Sequence, residues 1–224
     1  MSRDGEPVPG WLRGLADAAS KMEINPQSQP PAHGGRASAV LVLFGAGPSA
    51  GPGTGPAVAE DGASDAPDLL FIQRSADLRL HAGQPAFPGG TIDAADDGPV
   101  AAALREAEEE VGVDPAGVEV VGILPELFIP RTGFRVVPVL AWWRQPCAVA
   151  PVDPAEVAAV ERVSVSELAD PATRLVVRGP SGFLSPAFRV KGMLIWGFTA
   201  LLVDRLLTLA GWERPWDTAK IIDL

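Results

Sequence analysis

The pattern of apolar residues predicts helices in three parts of the chain. The spacing is clear over residues 9–22 and 99–111, and residues 190–209 are long and densely apolar. Positions three and four apart share one face of a helix, so each segment is predicted to pack an apolar face on a core. The middle helix has the best-defined ends, because Pro99 follows a turn-forming Asp-Asp-Gly sequence and Gly112 provides a C-terminal stop.

Shorter apolar runs, rich in β-branched and aromatic residues, predict five strands. They cover residues 39–44, 69–73, 118–124, 134–143 and 162–165. The acidic residues 153–161 and the turn-rich residues 170–186 are predicted to be irregular. The order of strand, strand, helix, strand and strand predicts an α/β fold in which helices pack on a sheet.

A glycine- and proline-rich segment separates the first two predicted strands. Residues 45–67 contain six glycines and four prolines and almost nothing apolar, which predicts a flexible loop inside one domain. Residues 1–35 are predicted to form an N-terminal helix and a proline-rich lead-in. Residues 36–224 are predicted to form a single domain without internal repeats.

The charge balance excludes several classes of partner. The 224 residues include 28 acidic side chains and 18 lysines and arginines, which gives a net charge of -10. Nucleic acids and anionic membranes require a basic face, so no nucleic-acid and no membrane partner is predicted. Because no apolar run is long enough to span a bilayer and no signal sequence is recognisable, the expected compartment is the cytoplasm. Cys147 is the only cysteine, which excludes an internal disulfide and a cysteine-based zinc site.

Acidic residues crowd the last turns of the predicted middle helix. Glu106, Glu109 and Glu110 stand at i, i+3 and i+4 and therefore share one face. Like charges at this spacing repel by roughly 0.2–0.5 kcal/mol, and the C-terminus of a helix is itself partly negative. Two interpretations follow: a solvated acidic face partly neutralised by Arg105, or a divalent-metal site. Carboxylates without histidine or cysteine suit Mg²⁺ or Mn²⁺.

The residues before this helix favour the metal interpretation. Phe87-Pro88-Gly89-Gly90 places two glycines where the backbone must approach another group closely or adopt a positive φ. A backbone carbonyl at this point could serve as a further metal ligand.

Gly90, Asp96 and residues 105–113 (REAEEEVGV) together resemble the Nudix box. The second half matches at every position, whereas Asp96 stands where the commonest form has Glu, and one extra residue separates it from Arg105. The resemblance implies an α/β/α sandwich with a mixed central sheet. It also implies a loop–helix–loop metal site that hydrolyses nucleoside diphosphates linked to another group.

The same resemblance implies roles for individual residues. Gly90, through its carbonyl, and Glu106, Glu109 and Glu110 would be the metal ligands. The glutamates would also be catalytic, with one of them acting as the base, and the resemblance does not identify which. Arg105 stands i,i+4 from Glu109 and is expected to orient the glutamates within the catalytic site.

Residues upstream of the box are similar to the signature of the coenzyme A pyrophosphatase branch of this family. The similar positions are Arg74-Ser75, Leu78-Arg79, His81, Gly83-Gln84 and residues 86–90, with further similarity at residues 133–139 and 195–200. Pro85 and Ile72 depart from the usual signature. The similarity implies hydrolysis of coenzyme A or its thioesters to 4'-phosphopantetheine and adenosine 3',5'-bisphosphate.

Arg74, Arg79 and Gly89 are the expected substrate contacts. An acidic protein that binds a polyanion needs fixed cations, and a guanidinium group offers two parallel donors to phosphate. The alternative for each arginine is a surface ion pair. His81 is expected to be a structural hydrogen-bonding residue.

Several alternatives stay open on the sequence alone. The box does not distinguish coenzyme A from ADP-ribose, NADH, a nucleotide sugar or a nucleoside triphosphate. A Nudix-fold module that senses a nucleotide without cutting it is another alternative, although such a module has no need for a repelling metal cluster. Trp212 and Trp216, near the C-terminus, are expected in the core or in a homodimer contact.

Overall fold

A computed structural model describes residues 7–25, 28–47, 66–78, 81–180 and 182–224. In chain order, its elements are α1 (Gly10–Ser20), β1 (Arg36–Gly45), β2 (Asp68–Arg74), β3 (Pro85–Ala86), β4 (Gly89–Thr91), α2 (Pro99–Val111), β5 (Val118–Ile123), β6 (Leu127–Ile129), β7 (Phe134–Trp143), β8 (Val157–Ser164), α3 (Val165–Ala169), β9 (Arg174–Arg178), β10 (Leu184–Val190), β11 (Met193–Ile195), α4 (Gly197–Leu209) and β12 (Ile221–Asp223).

The main sheet is mixed, and β1 lies in its middle. Within the described residues it has eight strands, with the path β3-β2-β1-β7-β5 and with β4, β6 and β8 paired to β1, β7 and β2. Strand β1 runs parallel to β7 and antiparallel to β2 and β4. It pairs with β2 at Phe44 and Gly45, but with β4 from Ser38 to Val40. Strand β2 pairs with β1 only at Asp68 and Leu69, pairs with β3 at Ile72 and Gln73, and pairs with β8 along its whole length.

Helices cover both faces of this sheet. Leu41 and Leu43 of β1 pack with α2 on one face, whereas Val42 and Phe44 pack with α1 and α4 on the other. Successive side chains of a strand point to opposite faces, which explains this division. The predicted α/β/α sandwich with a mixed central sheet is confirmed.

The N-terminal helix belongs to the packed structure. Leu12 and Leu15 of α1 are buried, and Trp11 contacts the rings of Phe44 and Trp212 edge to face at centroid distances of 5.4 and 5.0 Å. Trp212 is therefore partly buried and packs against the core. The division of the chain between residues 35 and 36 stays a prediction.

The predicted helix at residues 190–209 is wrong in its first third. Val190 ends β10, residues Met193–Ile195 form β11, and α4 begins only at Gly197. Lys191 and Gly192 both have positive φ angles, 48° and 76°, and form a hairpin turn that a helix cannot accommodate. The apolar run was long enough for a helix but belongs to two strands and a helix.

The region predicted to be irregular contains a second sheet. Strand β9 and the start of β10 lie within residues 170–186 and join β11 and β12 in the order β11-β10-β9-β12. Strand β8 also begins five residues before the predicted start at Arg162. Strands β9, β11 and β12 have three to five residues and lie between turn residues, so their apolar periodicity is weak.

Residues 48–65, which form most of the predicted flexible loop, lie outside the described residues. The ends of the loop are described: Phe44 pairs with Leu69, and Gly45 pairs with Asp68. The prediction that it joins two strands of one sheet is confirmed. In the described parts of the chain, no helix combines the length and the apolar character needed to traverse a lipid bilayer.

Candidate metal centre

Helix α2 lies over the part of the sheet where β1 pairs with β4 and no longer with β2. The helix begins with Pro99 in its first turn and ends at Gly112, which has the left-handed conformation that glycine favours. Ala103, Ala107 and Val111 are fully buried against the sheet. Because Glu106 and Glu110 lie beside these alanines and this valine on the helix, both carboxylates are turned toward the sheet.

Glu106 lies directly against the backbone of β4. A Cβ atom added to Gly90 would stand 2.4 Å from Cδ of Glu106, so no side chain fits at residue 90 while this carboxylate keeps its position. Burial raises the pKa of Glu106, and the hydrogen bond and charge of Arg105 oppose this shift. Glycine at residue 90 is thus a steric requirement of the carboxylate.

Glu110 is the most buried acid of the helix, with a side chain that is 7% exposed. The backbone N–H of Gly89 donates to its Oε2 at 3.0 Å, and Arg74 Nη1 lies 3.8 Å from its Oε1. Burial raises the pKa of Glu110 to about 7, although Gly89 and Arg74 act in the opposite direction. The buried negative charge is therefore incompletely compensated.

Gly89 reaches Glu110 through an unusual backbone conformation. Its φ is 154°, and an added Cβ would stand 2.3 Å from the carbonyl oxygen of Ala39. The close contact between β4 and β1 thus requires glycine here and directs the N–H of Gly89 at the carboxylate of Glu110.

Arg105 binds three acidic side chains at once. Its Nε and Nη2 donate to the two oxygens of Asp96 at 3.0 Å each, and its Nη1 donates to Glu106 at 3.0 Å and Glu109 at 2.9 Å. Nη2 also donates to the carbonyl oxygen of Thr91 at 3.1 Å. These bonds raise the pKa of Arg105 and lower that of Asp96. Arg105 thus holds the loop before α2 against the glutamates.

The contact between Asp96 and Arg105 goes beyond what sequence reasoning assigned. The sequence left Asp96 without a role, because it replaces Glu and stands one residue too far from Arg105. The loop absorbs the extra residue, and a turn in which Asp93 N–H donates to Asp96 Oδ2 at 2.8 Å fixes the carboxylate. The opposite charge nine positions later was the available signal.

The predicted glutamates do not form one cluster in this structure. Glu106 and Glu110 approach Gly90 and Gly89, whereas Glu109 is 60% exposed and bound to Arg105. In the parts of the chain that the structure describes, no three acidic, histidine or cysteine side chains are grouped closely enough to hold a metal ion.

The residues present nevertheless suit a hard divalent cation. The donors are all oxygens, Glu106 fills a space that only glycine leaves open, and the buried charge of Glu110 lacks full compensation. Glu109 could join them only by exchanging its bond to Arg105.

Among the expected substrate contacts, Arg74 and Gly89 both reach Glu110, and Arg79 lies outside the described residues.

The loop between β7 and β8 contributes an acid that the sequence did not single out. Its Val152 N–H donates to the carbonyl oxygen of Glu110 at 3.0 Å, and Ser75 N–H donates to that of Glu156 at 2.8 Å. The loop thereby crosses the end of α2, and the charge of Glu156 adds to the raised pKa of Glu110. Nothing in the local sequence pattern indicates that this loop folds back.

The chain is similar to known proteins in sequence and in fold. The family model described as NUDIX domain matches residues 57–180. A curated protein of Citrobacter koseri named "Uncharacterized Nudix hydrolase NudL" is 58% identical over 74 residues, and its Escherichia coli K12 counterpart is 57% identical. These alignments cover 33% of this chain and only 38% of each relative.

A solved structure shows a similar fold over a longer range. The crystal structure of a Nudix hydrolase from M. smegmatis, RenU, superposes with a TM-score of 0.52. The alignment covers 83% of this chain and 91% of that one at 20% identity. At this identity the likeness concerns the fold alone.

Proposed function

This chain belongs to the Nudix family, and from this premise we propose that it is a metal-dependent hydrolase that splits the pyrophosphate bond of coenzyme A or its thioesters. The products would be 4'-phosphopantetheine and adenosine 3',5'-bisphosphate. The curated relatives are named Nudix hydrolases, but the aligned part is 38% of their length, so the activity of the whole chain is a proposal.

The observation that carries the proposal is the approach of one buried and one partly buried carboxylate, Glu110 and Glu106, to one pair of glycines. Glu106 lies against Gly90, and Glu110 accepts the N–H of Gly89. Under the proposal, Glu106, Glu109, Glu110 and the carbonyl of Gly90 hold Mg²⁺ or Mn²⁺. When bound there, such an ion neutralises phosphate charge and acidifies water.

The chain's own residues would supply the proton acceptor. Burial raises the pKa of both Glu106 and Glu110, and that of Glu110 reaches about 7. A carboxylate with a pKa near the working pH is an effective general base. Glu106 and Glu110 are therefore both candidates for this role.

The arginines would position the catalytic glutamates and bind the substrate. Arg105 would keep Glu106 and Glu109 in position, since it binds both. Arg74 and Arg79 would contact the substrate's phosphates, and Gly89 would let the substrate approach the backbone closely. For Arg74 this is supported by its Nε, which is buried without a hydrogen-bond partner among the described residues.

Preference for coenzyme A rests on the signature between Arg74 and Gly90. The chain folds back within this segment, since Arg74 N–H donates to Gln84 O at 3.1 Å and Gly83 N–H donates to Ser75 O at 3.1 Å. The side-chain amide of Gln73 also donates to the carbonyl oxygen of Gly83. These bonds support the proposal because they hold Gly83 and Gln84 of the signature beside Arg74.

Product analysis tests the proposed reaction. Purified protein is incubated with Mg²⁺ or Mn²⁺ and, in parallel, with coenzyme A, ADP-ribose, NADH and a nucleoside triphosphate, and the products are identified by mass spectrometry. We expect adenosine 3',5'-bisphosphate from coenzyme A and no comparable turnover of the others. Cleavage of another compound instead would contradict the substrate, and no cleavage with either metal would favour a nucleotide-sensing module.

Two expectations from the sequence stay predictions. Cell fractionation would test the cytoplasmic location. Light scattering at several protein concentrations would test the homodimer.

A further inference from the structure

The start of β1 and the start of β7 carry a local excess of positive charge in an otherwise acidic chain. Arg36, Arg131 and Arg135 belong to these neighbouring segments. Arg135 is neutralised by Glu126, with Nη2 and Oε2 2.7 Å apart. Arg36 and Arg131 are exposed, and within the described ranges no carboxylate oxygen lies within 4.0 Å of their side-chain nitrogens.

Arg36 is held in place by an aromatic ring. Its Cζ lies 4.2 Å from the ring centroid of Phe134, and its backbone N–H donates to the carbonyl oxygen of Gly133 at 2.8 Å. A guanidinium that stacks on a ring by its face keeps its N–H edge available for an anion. Because the ring restricts the side chain, less conformational freedom is lost when an anion binds.

Arg131 lies in the tight turn next to Arg36. The N–H of Gly133 donates to the carbonyl oxygen of Ile129 at 2.9 Å, and the φ of Gly133 is 70°. This turn fixes the backbone that carries Arg131 beside the first residue of β1. Two arginines without acidic partners are thus displayed from adjoining, hydrogen-bonded segments.

The position of these arginines relates them to the candidate metal centre. Ser38 pairs with Thr91, whose carbonyl oxygen accepts a hydrogen bond from Arg105. Arg36 stands two residues before Ser38, which is about 7 Å along a strand. Ile92, the residue after β4, also donates its N–H to the carbonyl oxygen of Ala37 at 3.0 Å.

We propose that Arg36 and Arg131 form a subsite for a phosphate monoester that the substrate carries on its ribose, separate from the pyrophosphate that is split. A guanidinium offers paired donors that match phosphate oxygens, and the chain's overall negative charge repels anions elsewhere on its surface. The inference rests on the proposed function. It adds that substrates with this extra phosphate are preferred over those without it.

The test compares coenzyme A with dephospho-coenzyme A, which lacks the ribose phosphate. Steady-state kinetics are measured for the wild type, Arg36→Glu, Arg131→Glu and the control Arg189→Glu. The control makes the same charge change on β10 of the second sheet, where Arg189 is also exposed. We expect the KM for coenzyme A to rise about tenfold or more in each test variant, because a charge-assisted bond is replaced by repulsion.

The same variants should leave the KM for dephospho-coenzyme A within about twofold of the wild type, and Arg189→Glu should change neither KM. An equal rise for both substrates, an equal rise in Arg189→Glu, or no rise at all would overturn the subsite.

Failure of the proposed function gives a different result. If the wild type hydrolyses neither compound, the reaction is wrong, and calorimetric binding of adenosine 3',5'-bisphosphate and AMP then decides the subsite. Tighter binding of the bisphosphate that is lost in Arg36→Glu would support it. Equal binding of the two nucleotides would overturn it.

Discussion

Two arginines in this molecule bind carboxylates in opposite electrostatic settings. Arg105, in the candidate metal centre, is shared by Asp93, Asp96, Glu106 and Glu109. Arg174, in the second sheet, has a fully buried side chain that pairs with Asp204, and this is its one acidic partner within the described part of the chain. The first setting has more negative than positive charge, whereas the second is balanced.

The pair of Arg174 and Asp204 has the contacts of a structural ion pair. The guanidinium of Arg174 stacks on Phe188 and Trp216, with Cζ 4.7 and 4.4 Å from the ring centroids. Burial raises the pKa of Asp204, as it does that of Glu110. A raised pKa therefore does not distinguish the two settings. The surplus of carboxylates does, because a surplus is what a bound divalent cation would neutralise.

The largest expected effect is a loss of activity without a loss of stability when Glu110 is changed. Glu110→Gln keeps the size of the side chain and removes its charge, so we expect metal-dependent hydrolysis to fall roughly a thousandfold. The free energy of unfolding should not fall, because a buried charge without full compensation has been removed. Activity is measured with coenzyme A, and stability by urea denaturation.

The matched control is Glu108→Gln, which removes the same charge from an exposed position of the same helix. It should retain activity. Wild-type turnover in Glu110→Gln would remove this residue from the site.

The opposite result is expected at Asp204. Asp204→Asn leaves the charge of Arg174 buried without a counterion, so the free energy of unfolding should fall by about 3 kcal/mol. Turnover per folded molecule should be unchanged. Asp223→Asn, which breaks the exposed pair with Arg178, should change stability by no more than about 0.5 kcal/mol. Equal stabilities of the two variants would contradict a structural role for Arg174.

A smaller loss is expected when the glycine contact is changed. In Gly90→Ala, the new Cβ would displace the carboxylate of Glu106, so we expect activity to fall roughly tenfold to a hundredfold. Gly14→Ala is the control, because an added Cβ there would meet no described atom within 4 Å apart from its own neighbours in the helix. That change in α1 should leave activity intact and stabilise the helix by up to about 1 kcal/mol. Full activity of Gly90→Ala would show that the position of Glu106 is unimportant.

The smallest effect is expected at Asp96. Asp96→Asn weakens the hydrogen bonds between residue 96 and Arg105, whereas Glu106 and Glu109 still bind Arg105. We therefore expect metal affinity to fall about tenfold. Asp97→Asn, at the exposed neighbouring position, should have no effect. Manganese titration of activity measures the difference, and identical curves for the two variants would contradict a positioning role for Asp96.

The sequence predicted those helices and strands whose apolar periodicity lies within one segment of the chain. Helices α1 and α2 and strands β1, β2, β5 and β7 were predicted, because their apolar spacing is carried within a single segment. The second sheet was missed, because its strands are short and become recognisable only through their pairing. The start of α4 was misplaced for the same reason.

The candidate site likewise has a part that local spacing predicts and a part that depends on tertiary contacts. Helical spacing was enough to put Glu106, Glu109 and Glu110 on one face, and two of them do lie against the glycines. The bond of Asp96 to Arg105 and the approach of Glu156 to Glu110 depend on how two loops fold back. Apart from the opposite charges of Asp96 and Arg105, no local sequence signal indicates these tertiary contacts.

Binding of Mn²⁺ to the purified protein tests the central claim most directly, since it does not depend on the identity of the substrate. Electron paramagnetic resonance counts free and bound Mn²⁺ for the wild type, Glu110→Gln and Asp204→Asn. We predict that the wild type and Asp204→Asn bind the ion, and that Glu110→Gln binds it at least about tenfold more weakly. Equal binding by Glu110→Gln and the wild type would contradict a metal centre at Gly89 and Gly90.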